Sequence, residues 1–202
     1  MHILVTTDGS KNSLAALGAA GPLTKTAGAS LALVRLLDPR LDCGDAFAPT
    51  LAEAVELTRS RWQAELENAL SASGYAGACS VVIKERNENV ASAILRTATE
   101  QKADLIAMTT RGSGRLHRAL LGSVSLDVLG RSGLPVLVAG PRFTPKEVGS
   151  LYRLVITTDG SPGSLAAMRE LGQRLALPGI AITLLRVCWP GDIDSEDEAQ
   201  LQ

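Results

Sequence analysis

Two segments of the chain carry the same sequence at a constant spacing, and this repeat constrains the architecture more than any other feature. Thr-Thr-Asp-Gly-Ser occurs at residues 6–10 and again at residues 157–161, and residues 1–39 align with residues 152–190 without a gap. A repeat this long cannot be a solenoid unit and matches one whole α/β domain. We therefore predict a complete domain over residues 1–142, a linker over 143–151 and an incomplete second copy over 152–202.

The bulk composition excludes several classes of function. Of the 202 residues, 46% are hydrophobic and 20% are charged, and the formal net charge is -1. A chain with a net charge so close to zero lacks the broad positive potential that nucleic-acid binding requires, so we expect no nucleic-acid partner. The N-terminus has no leader pattern, and no apolar run approaches the roughly 18 residues of a membrane span. Together with three isolated cysteines (Cys43, Cys79 and Cys188), these features predict a cytoplasmic protein with free thiols.

Short apolar runs alternate with amphipathic segments along the first copy. Apolar, β-branched runs between turn residues predict strands over 3–5, 31–37, 81–83, 105–108 and 135–138. The segments between them predict helices from a cap at Ser10 to about Gly28, then over 51–73, 90–102 and 122–132, with loops over 38–50 and 109–121. This alternation predicts right-handed βαβ crossovers and an α/β fold with a doubly wound parallel sheet.

The second copy repeats only the opening of this pattern. Its sequence predicts a strand over 154–158, a helix over 161–177 and a strand over 182–188. An acidic tail follows, in which Asp and Glu cluster within residues 192–198. We interpret the tail as a solvated segment, with an interaction motif as the alternative. The second copy is therefore predicted to be a partial βαβ repeat.

One glycine- and arginine-rich segment carries the chemistry of anion binding. Glycines let backbone N–H groups approach an anion closely, and the start of a helix offers unpaired N–H donors and a positive dipole end. The segment leaves the fourth strand at Thr109 and enters a helix at Gly122-Ser123. Further donors and positive charges are supplied by Ser123, Ser125, Arg111, Arg115 and Arg118. On the residues alone, a phosphate-binding loop and a flexible loop that merely caps a helix both remain open.

The spacing within this segment resembles the nucleotide signature of the universal stress protein family, Gly-x2-Gly-x9-Gly-[Ser/Thr]. Gly112, nine intervening residues and Gly122-Ser123 match it, whereas Thr109 occupies the position of the first glycine. The segments 6–10, 91–95, 103–106 and 135–138 also resemble the family. The resemblance covers residues 1–142 and, for the second copy, about 152–190.

The resemblance implies a five-stranded sheet of order 3-2-1-4-5. Strands one and four are then neighbours where the winding reverses, and a crevice opens at their carboxyl ends. Asp8 follows the first strand and Thr109 follows the fourth, so both are expected at this crevice. By resemblance, the ligand is ATP, alone or with Mg2+. Its implied binding residues are Asp8 near the adenosine, Leu36 at the adenine, and Thr109, Gly112, Gly122, Ser123, Val124 and Ser125 around the ribose and phosphates.

Two of these residues have alternative interpretations. Asp8 recurs as Asp159, which has no glycine loop in its own copy, so a structural role in an Asx-turn is the alternative to ligand binding. Thr109 would be strained if its backbone required a positive φ, because β-branched residues rarely adopt that conformation. With an ordinary φ, its hydroxyl would be a further hydrogen-bond donor.

The favoured function is that of an ATP-binding regulatory or stress-response protein. A nucleotide-independent dimeric interaction module of the same fold is the first alternative, and a slow ATP-hydrolysing enzyme is the second. We identify no catalytic triad, metal-ligand set or paired carboxylates, so no turnover is predicted beyond slow hydrolysis of bound nucleotide. By resemblance we also expect a homodimer that pairs across the fifth strand, here residues 135–138.

Overall fold

The structure is a computed structural model that describes residues 1–44, 48–73, 75, 77–110, 121–140, 143 and 151–186. It divides into two compact units, Met1–Lys146 and Glu147–Gln202. Apart from Phe143 and Leu151, the predicted linker lies outside the described residues, as does the acidic tail. The domain bounds therefore stay a prediction.

The first unit alternates strands with helices, as the sequence predicts. Its strands are β1 (His2–Thr7), β2 (Ser30–Leu37), β3 (Cys79–Glu85), β4 (Leu105–Thr109) and β5 (Val136–Ala139). Its helices are α1 (Ala15–Ala27), α2 (Pro39–Asp42), α3 (Leu51–Ala72), α4 (Val90–Glu100) and α5 (Ser123–Arg131). The short helix α2 lies where a loop was predicted, because Asp38 caps it and Pro39 fixes the backbone of its first turn.

The five strands form one parallel sheet of order β3-β2-β1-β4-β5, which confirms the predicted topology. Ile3 of β1 pairs with Leu31 of β2 on one side and with Leu105 of β4 on the other. The start of β1 is also tied to the residue before β4: the His2 N–H donates to Asp104 Oδ2 at 2.7 Å, and the Asp104 N–H donates to the His2 carbonyl at 2.8 Å. The winding therefore reverses between β1 and β4.

Aliphatic side chains bury both faces of the central strands. Ile3 and Leu4 are adjacent in β1, point to opposite faces and are both inaccessible to solvent. On the face of Leu4, residues from α4 and α5 complete the core. This cluster comprises Leu4, Ala32, Val34, Ala91, Ile94, Ala98, Ala103, Ile106, Met108 and Val128. A core without aromatic side chains on this face agrees with the scarcity of aromatic residues in the chain.

Helix α1 begins at Ala15, later than the sequence predicts, although Ser10 makes the predicted capping bond: its Oγ accepts the Ser13 N–H at 3.2 Å. Leu14 occupies the cap position without a side-chain hydrogen bond, and the turn before it contains a short-range bond from the Ala15 N–H to the Asn12 carbonyl. In the second copy, Ser161 Oγ accepts the equivalent bond from the Ser164 N–H at 3.2 Å, and the helix begins directly after it, at Pro162. The proline presets a helical φ there, whereas the first copy has Lys11 at the equivalent position.

The second unit contains β6 (Tyr152–Thr158), α6 (Pro162–Leu175) and β7 (Ile180–Arg186), and its two strands pair in parallel. This is the predicted strand–helix–strand order. Side chains on the two strands are much more exposed than their counterparts in the first unit. Val155 is 60% exposed, whereas the equivalent Leu4 is fully buried. A two-stranded sheet with one helix cannot enclose these residues as the five-stranded sheet does.

Two further observations concern the described part of the chain. None of the helices described combines the length and the apolar character needed to cross a bilayer. Cys43 is buried, Cys79 is half-buried, and both are free thiols.

The buried hydroxyl of Thr58 in α3 has no hydrogen-bond partner among the described residues. We expect Thr58→Val to raise the free energy of unfolding by about 1 kcal/mol, because the substitution keeps the shape and removes an unsatisfied polar group. Thr97 of α4 is the matched control, since its buried hydroxyl donates to the Ala93 carbonyl at 2.7 Å. Thr97→Val should lower the free energy of unfolding by a similar amount. Urea denaturation of both variants checks the opposite signs, and equal destabilisation would contradict the prediction.

Candidate functional site

A cleft of about 280 Å³ opens at the carboxyl ends of the central strands, at the point where the winding reverses. The strands β1, β2 and β4 form its floor, and helices on both sides form its walls. Its lining residues are Thr6, Thr7, Asp8, Ser13, Val34, Arg35, Leu36, Asp42, Trp62, Arg86, Val90, Ile94, Met108, Thr109, Val124 and Ser125. The cleft thus brings together Asp8, Leu36, Thr109, Val124 and Ser125 from the site predicted by sequence.

One wall of the cleft is apolar. Leu36 of β2 and Val124 of α5 pack against the core cluster that contains Ile94 and Met108. Leu36 is half-buried, so part of its side chain faces the cleft. This wall can accept a flat, weakly polar group without leaving buried donors unpaired.

Asp8 lies in a tight turn at the end of β1. Its Oδ1 accepts a hydrogen bond from the Ser10 N–H at 2.9 Å, which is the Asx-turn interpretation. Beneath it, Thr7 Oγ1 and Ser13 Oγ share a hydrogen bond of 2.6 Å, and Thr7 Oγ1 accepts the Gly9 N–H at 3.0 Å. The Asp8 side chain is exposed and lines the mouth of the cleft.

The second copy repeats this turn bond for bond. Asp159 Oδ1 accepts the Ser161 N–H at 2.9 Å, and Thr158 Oγ1 shares a hydrogen bond of 2.6 Å with Ser164 Oγ. The hydrogen bond from Ser161 is the largest cause that lowers the pKa of Asp159 below its ordinary value. The same turn thus forms in a unit whose described elements are β6, α6 and β7.

Thr109 has an ordinary backbone. It is the last residue of β4, and Lys102 is the one non-glycine residue with a positive φ in the described part of the chain. Of the two interpretations of the Thr109 substitution, strain is thereby excluded. The Thr109 carbonyl accepts a hydrogen bond from Ser125 Oγ at 2.9 Å, which holds the first turn of α5 against the end of β4.

Gly122 and Ser123 begin α5 directly before Val124, but they are not among the residues that line the cleft. Gly122 is the cap residue, with φ of -74° and ψ of 158°, and its N–H donates to the Thr110 carbonyl at 2.6 Å. The first bond of the helix runs from the Leu126 N–H to the Gly122 carbonyl at 3.0 Å. The helix itself therefore offers no acceptor to the N–H groups of Ser123, Val124 and Ser125. Gly112 and the three arginines of the loop lie outside the described residues.

Sequence reasoning missed a polar wall on the opposite side of the cleft. Arg35 of β2 places its Cζ 3.4 Å from the centre of the Trp62 ring, and its Nη1 donates to Glu65 Oε2 at 3.2 Å. Burial lowers the pKa of Arg35 from its ordinary value, although the nearby carboxylates of Glu65, Asp42 and Asp8 favour the cation. The available signal was Arg35 itself, a charge that interrupts an otherwise apolar strand.

A second arginine joins the two loops that border this wall. Arg86 Nη2 lies 3.1 Å from Asp38 Oδ2, and both side chains are largely buried. Arg86 Nη1 also donates to the Glu88 carbonyl at 2.9 Å. Asp42 Oδ2 accepts the Asp38 N–H at 2.7 Å, which fixes α2 beside the cleft. These contacts hold the segments after β2 and β3 together.

Comparison with known proteins gives a sequence family for the first unit. Residues 1–140 match the model of the Universal stress protein family. A universal stress protein from the QAH/OAS sulfhydrylase 3′ region of Thermus aquaticus is 32% identical over 137 residues, which cover 67% of this chain and 96% of that protein.

Solved structures of the same family have a similar fold. A universal stress protein family member from Burkholderia pseudomallei is 27% identical with a TM-score of 0.51, and the match covers 69% of this chain and 95% of that one. A universal stress protein from Archaeoglobus fulgidus DSM 4304 is 20% identical with a TM-score of 0.68. This second match covers 99% of this chain and 71% of that one, so it includes the fold of both units.

The close approach of Arg35 to Gly9 leads to a prediction about stability. Gly9 has a φ of +83°, and a Cβ added there would lie 2.6 Å from Arg35 Nη1. Gly28 also has a positive φ, of +59°, but a Cβ there would meet nothing within 4 Å. Both Gly→Ala variants should lose about 1 kcal/mol to backbone strain. We expect Gly9→Ala to lose about 1 kcal/mol more, because Arg35 must leave the Trp62 ring.

Thermal unfolding of the two variants measures this difference, and Trp62 emission should change in Gly9→Ala alone. Equal losses of stability in the two variants would mean that Arg35 moves away from Gly9 without cost.

Proposed function

The chain belongs to the universal stress protein family, and on that premise we propose that its first unit is a regulatory module that binds ATP, alone or with Mg2+, in the cleft between β1 and β4. The observation that carries the proposal is the composition of the cleft. An apolar wall, an exposed carboxylate and the start of a helix all lie where the winding of the sheet reverses. These three features suit the base, the sugar and the phosphates of one ligand.

The apolar wall suits an adenine ring. Leu36 and Val124 offer aliphatic contact, and Met108 adds a polarisable sulfur that packs well against aromatic rings. The cleft volume of about 280 Å³ lies near the lower end of the range for ligand pockets, roughly 300 to 1,000 Å³. A cleft of this size would enclose the base and sugar and leave the phosphates towards its rim.

Asp8 suits the ribose. A carboxylate has several acceptor positions, and the Asx-turn occupies one of them. We infer that Asp8 also accepts hydrogen bonds from ribose hydroxyl groups, as an acidic residue does at other nucleotide sites on doubly wound sheets. The turn would then hold the carboxylate in place before the ligand arrives, which reduces the entropy lost on binding.

The start of α5 suits the phosphates. The N–H groups of Ser123, Val124 and Ser125 point along the helix axis towards its N-terminus, where the dipole favours an anion. The Ser125 hydroxyl already donates to Thr109, so its proposed contribution is through the backbone. Gly112 completes the proposed phosphate site on the resemblance alone. Mg2+ would arrive with the phosphates, since the described residues include no cluster of three acidic, His or Cys side chains that could hold a metal.

We further propose that the protein is a homodimer that pairs through β5. This strand lies at the edge of the sheet, and the neighbouring helix α5 exposes Leu126 and Leu129. An apolar edge strand is a template for pairing with a second strand. Nucleotide binding at the start of α5 would then alter the helix that borders the dimer surface.

The two Asp-Gly-Ser turns provide a matched test of the nucleotide site. Asp8→Ala and Asp159→Ala remove the same Asx-turn hydrogen bond, but only Asp8 lines the cleft. We expect Asp8→Ala to weaken ATP binding about tenfold, the equivalent of one lost hydrogen bond to a charged group, and Asp159→Ala to leave it unchanged. Isothermal titration with ATP and Mg2+ gives both affinities.

Two results of this titration would count against the proposal. If the unchanged protein binds no nucleotide at millimolar concentration, the nucleotide-independent interaction module becomes the better description. Equal effects of the two substitutions would contradict a single nucleotide site in the first unit.

The dimer is tested by sedimentation. The full chain should sediment as a dimer, and Leu126→Glu with Leu129→Glu should give a monomer, because two carboxylates would be buried at the interface. A double substitution at Leu57 and Leu51 of α3, which are also exposed, is the control and should leave the dimer intact. If the full chain sediments as a monomer, the proposed homodimer is wrong.

A further inference from the structure

We propose that Arg35 is a positioning residue of the nucleotide site, which fixes the Asp8–Gly9 turn by packing its guanidinium against both Gly9 and Trp62. This inference rests on the proposed function of the cleft. It adds Arg35, which contacts the turn, as a residue that acts on the nucleotide through Asp8. Arg35 belongs to the polar wall that sequence reasoning missed.

The contacts of the guanidinium are unusually close on two sides. An added Cβ on Gly9 would lie 2.6 Å from Nη1, 2.7 Å from Cζ and 3.1 Å from Nη2 of Arg35, so the flat face of the group lies against Gly9. The Trp62 ring centre lies 3.4 Å from Cζ, which is stacking distance for a cation–π contact. Only glycine leaves room for this approach, and only a planar cation can stack on the indole and lie flat on the turn.

A hydrogen bond then fixes the rotation of the guanidinium. Nη1 donates to Glu65 Oε2 at 3.2 Å, and Glu65 lies on α3, three residues after Trp62. The Arg35 side chain is 15% exposed. Helix α3 thus supplies both an aromatic surface and a carboxylate to one guanidinium. Asp8 and Asp42 add favourable charge from the turn and from α2.

The second copy has the glycine–arginine contact of the turn but lacks the Trp62 and Glu65 contacts of the polar wall in its described residues. An added Cβ on Gly160 would lie 2.8 Å from Cζ of Arg186, the counterpart of Arg35. The glycine–arginine contact therefore recurs, but Arg186 is exposed, and the described part of the second unit has no helix equivalent to α3. The turn forms in both copies, whereas the Trp62 and Glu65 contacts belong to the copy with the cleft. This difference points to a role for Arg35 beyond formation of the turn.

The consequence for binding is preorganisation. A turn that packs on a guanidinium held by α3 samples fewer conformations, so the Asp8 carboxylate would lose less entropy when a ligand binds. Removal of Arg35 should weaken binding through Asp8 and should have no further effect once Asp8 is absent. Such non-additivity distinguishes a positioning residue from one that contacts the ligand or supports the fold in general.

A double-substitution cycle tests this. ATP affinity is measured by isothermal titration for the unchanged protein, Arg35→Gln, Asp8→Ala and the double variant, with Arg186→Gln as the matched control. We expect Arg35→Gln to weaken binding about tenfold, and to change it less than twofold in the Asp8→Ala background. Arg186→Gln should leave the affinity unchanged. Arg35→Lys should recover part of the loss, since it keeps the charge but not the planar face.

Emission from Trp62 reports the contact without any ligand. In a Trp189→Phe background, Trp62 is the one remaining tryptophan of the two in the chain. Its spectrum should shift in Arg35→Gln and not in Arg186→Gln. If Arg35→Gln is too unstable to titrate, Arg35→Lys carries the same cycle.

The outcomes separate the two proposals. No ATP binding by the unchanged protein overturns the proposed function and this inference with it. Normal ATP binding with an unaffected Arg35→Gln variant overturns the inference alone. An additive cycle, in which Arg35→Gln weakens the Asp8→Ala protein by the same factor, also overturns it and makes Arg35 an independent contact.

Discussion

The pairing of β1 with β4 is the contact on which the cleft depends. These strands are about a hundred residues apart in sequence, and their pairing places the ends of both at one edge of the sheet. Apolar burial supplies the driving force, because Ile3, Leu4 and Ile106 are all fully buried. The reciprocal hydrogen bonds between His2 and Asp104 fix the register at the opposite end. The positions of Asp8 and Thr109 thus follow from the core and need no contact between the two residues.

The repeated Thr-Thr-Asp-Gly-Ser turn is one structural element in two different surroundings. In both copies, a threonine and a serine hydroxyl share a hydrogen bond beneath the turn, and the aspartate accepts a backbone N–H above it. These bonds satisfy the polar groups of the turn locally, so the turn does not require the rest of a domain. What distinguishes the first copy is the set of elements around the turn, chiefly α3, β4 and α5.

The sequence alone predicted the fold well because its signals are local and repeated. Apolar runs between turn residues gave the five strands, and the resemblance supplied their order, which the structure confirms. The start of α1 was predicted too early because the geometry of a helix start depends on the residue after the cap, and of the two copies the second has a proline there. The short helix α2 was missed because a single turn has no hydrophobic period to detect.

Only the cleft residues that lie at strand ends or in the glycine motif could be identified from the sequence. Asp8 and Thr109 were placed at the cleft because strand ends are visible in the sequence, and Leu36 was placed there by the family resemblance. Trp62 was recognised only as an apolar position on an amphipathic helix, and no sequence period indicates which of its neighbours it covers. Its contact with Arg35 depends on how α3 lies across β2, which is a tertiary property.

The hydrogen bond between the Gly122 N–H and the Thr110 carbonyl has a consequence for how this protein could be redesigned. At 2.6 Å it holds Thr110 and Gly122 close together, so the scaffold itself fixes the two ends between which the intervening residues connect. The free energy of closing a loop grows slowly with its length once its ends are held. Residues 111–121 could therefore be exchanged for segments of other lengths and charges while α5 keeps its start. The same scaffold would then carry connections of varied length and charge before this helix.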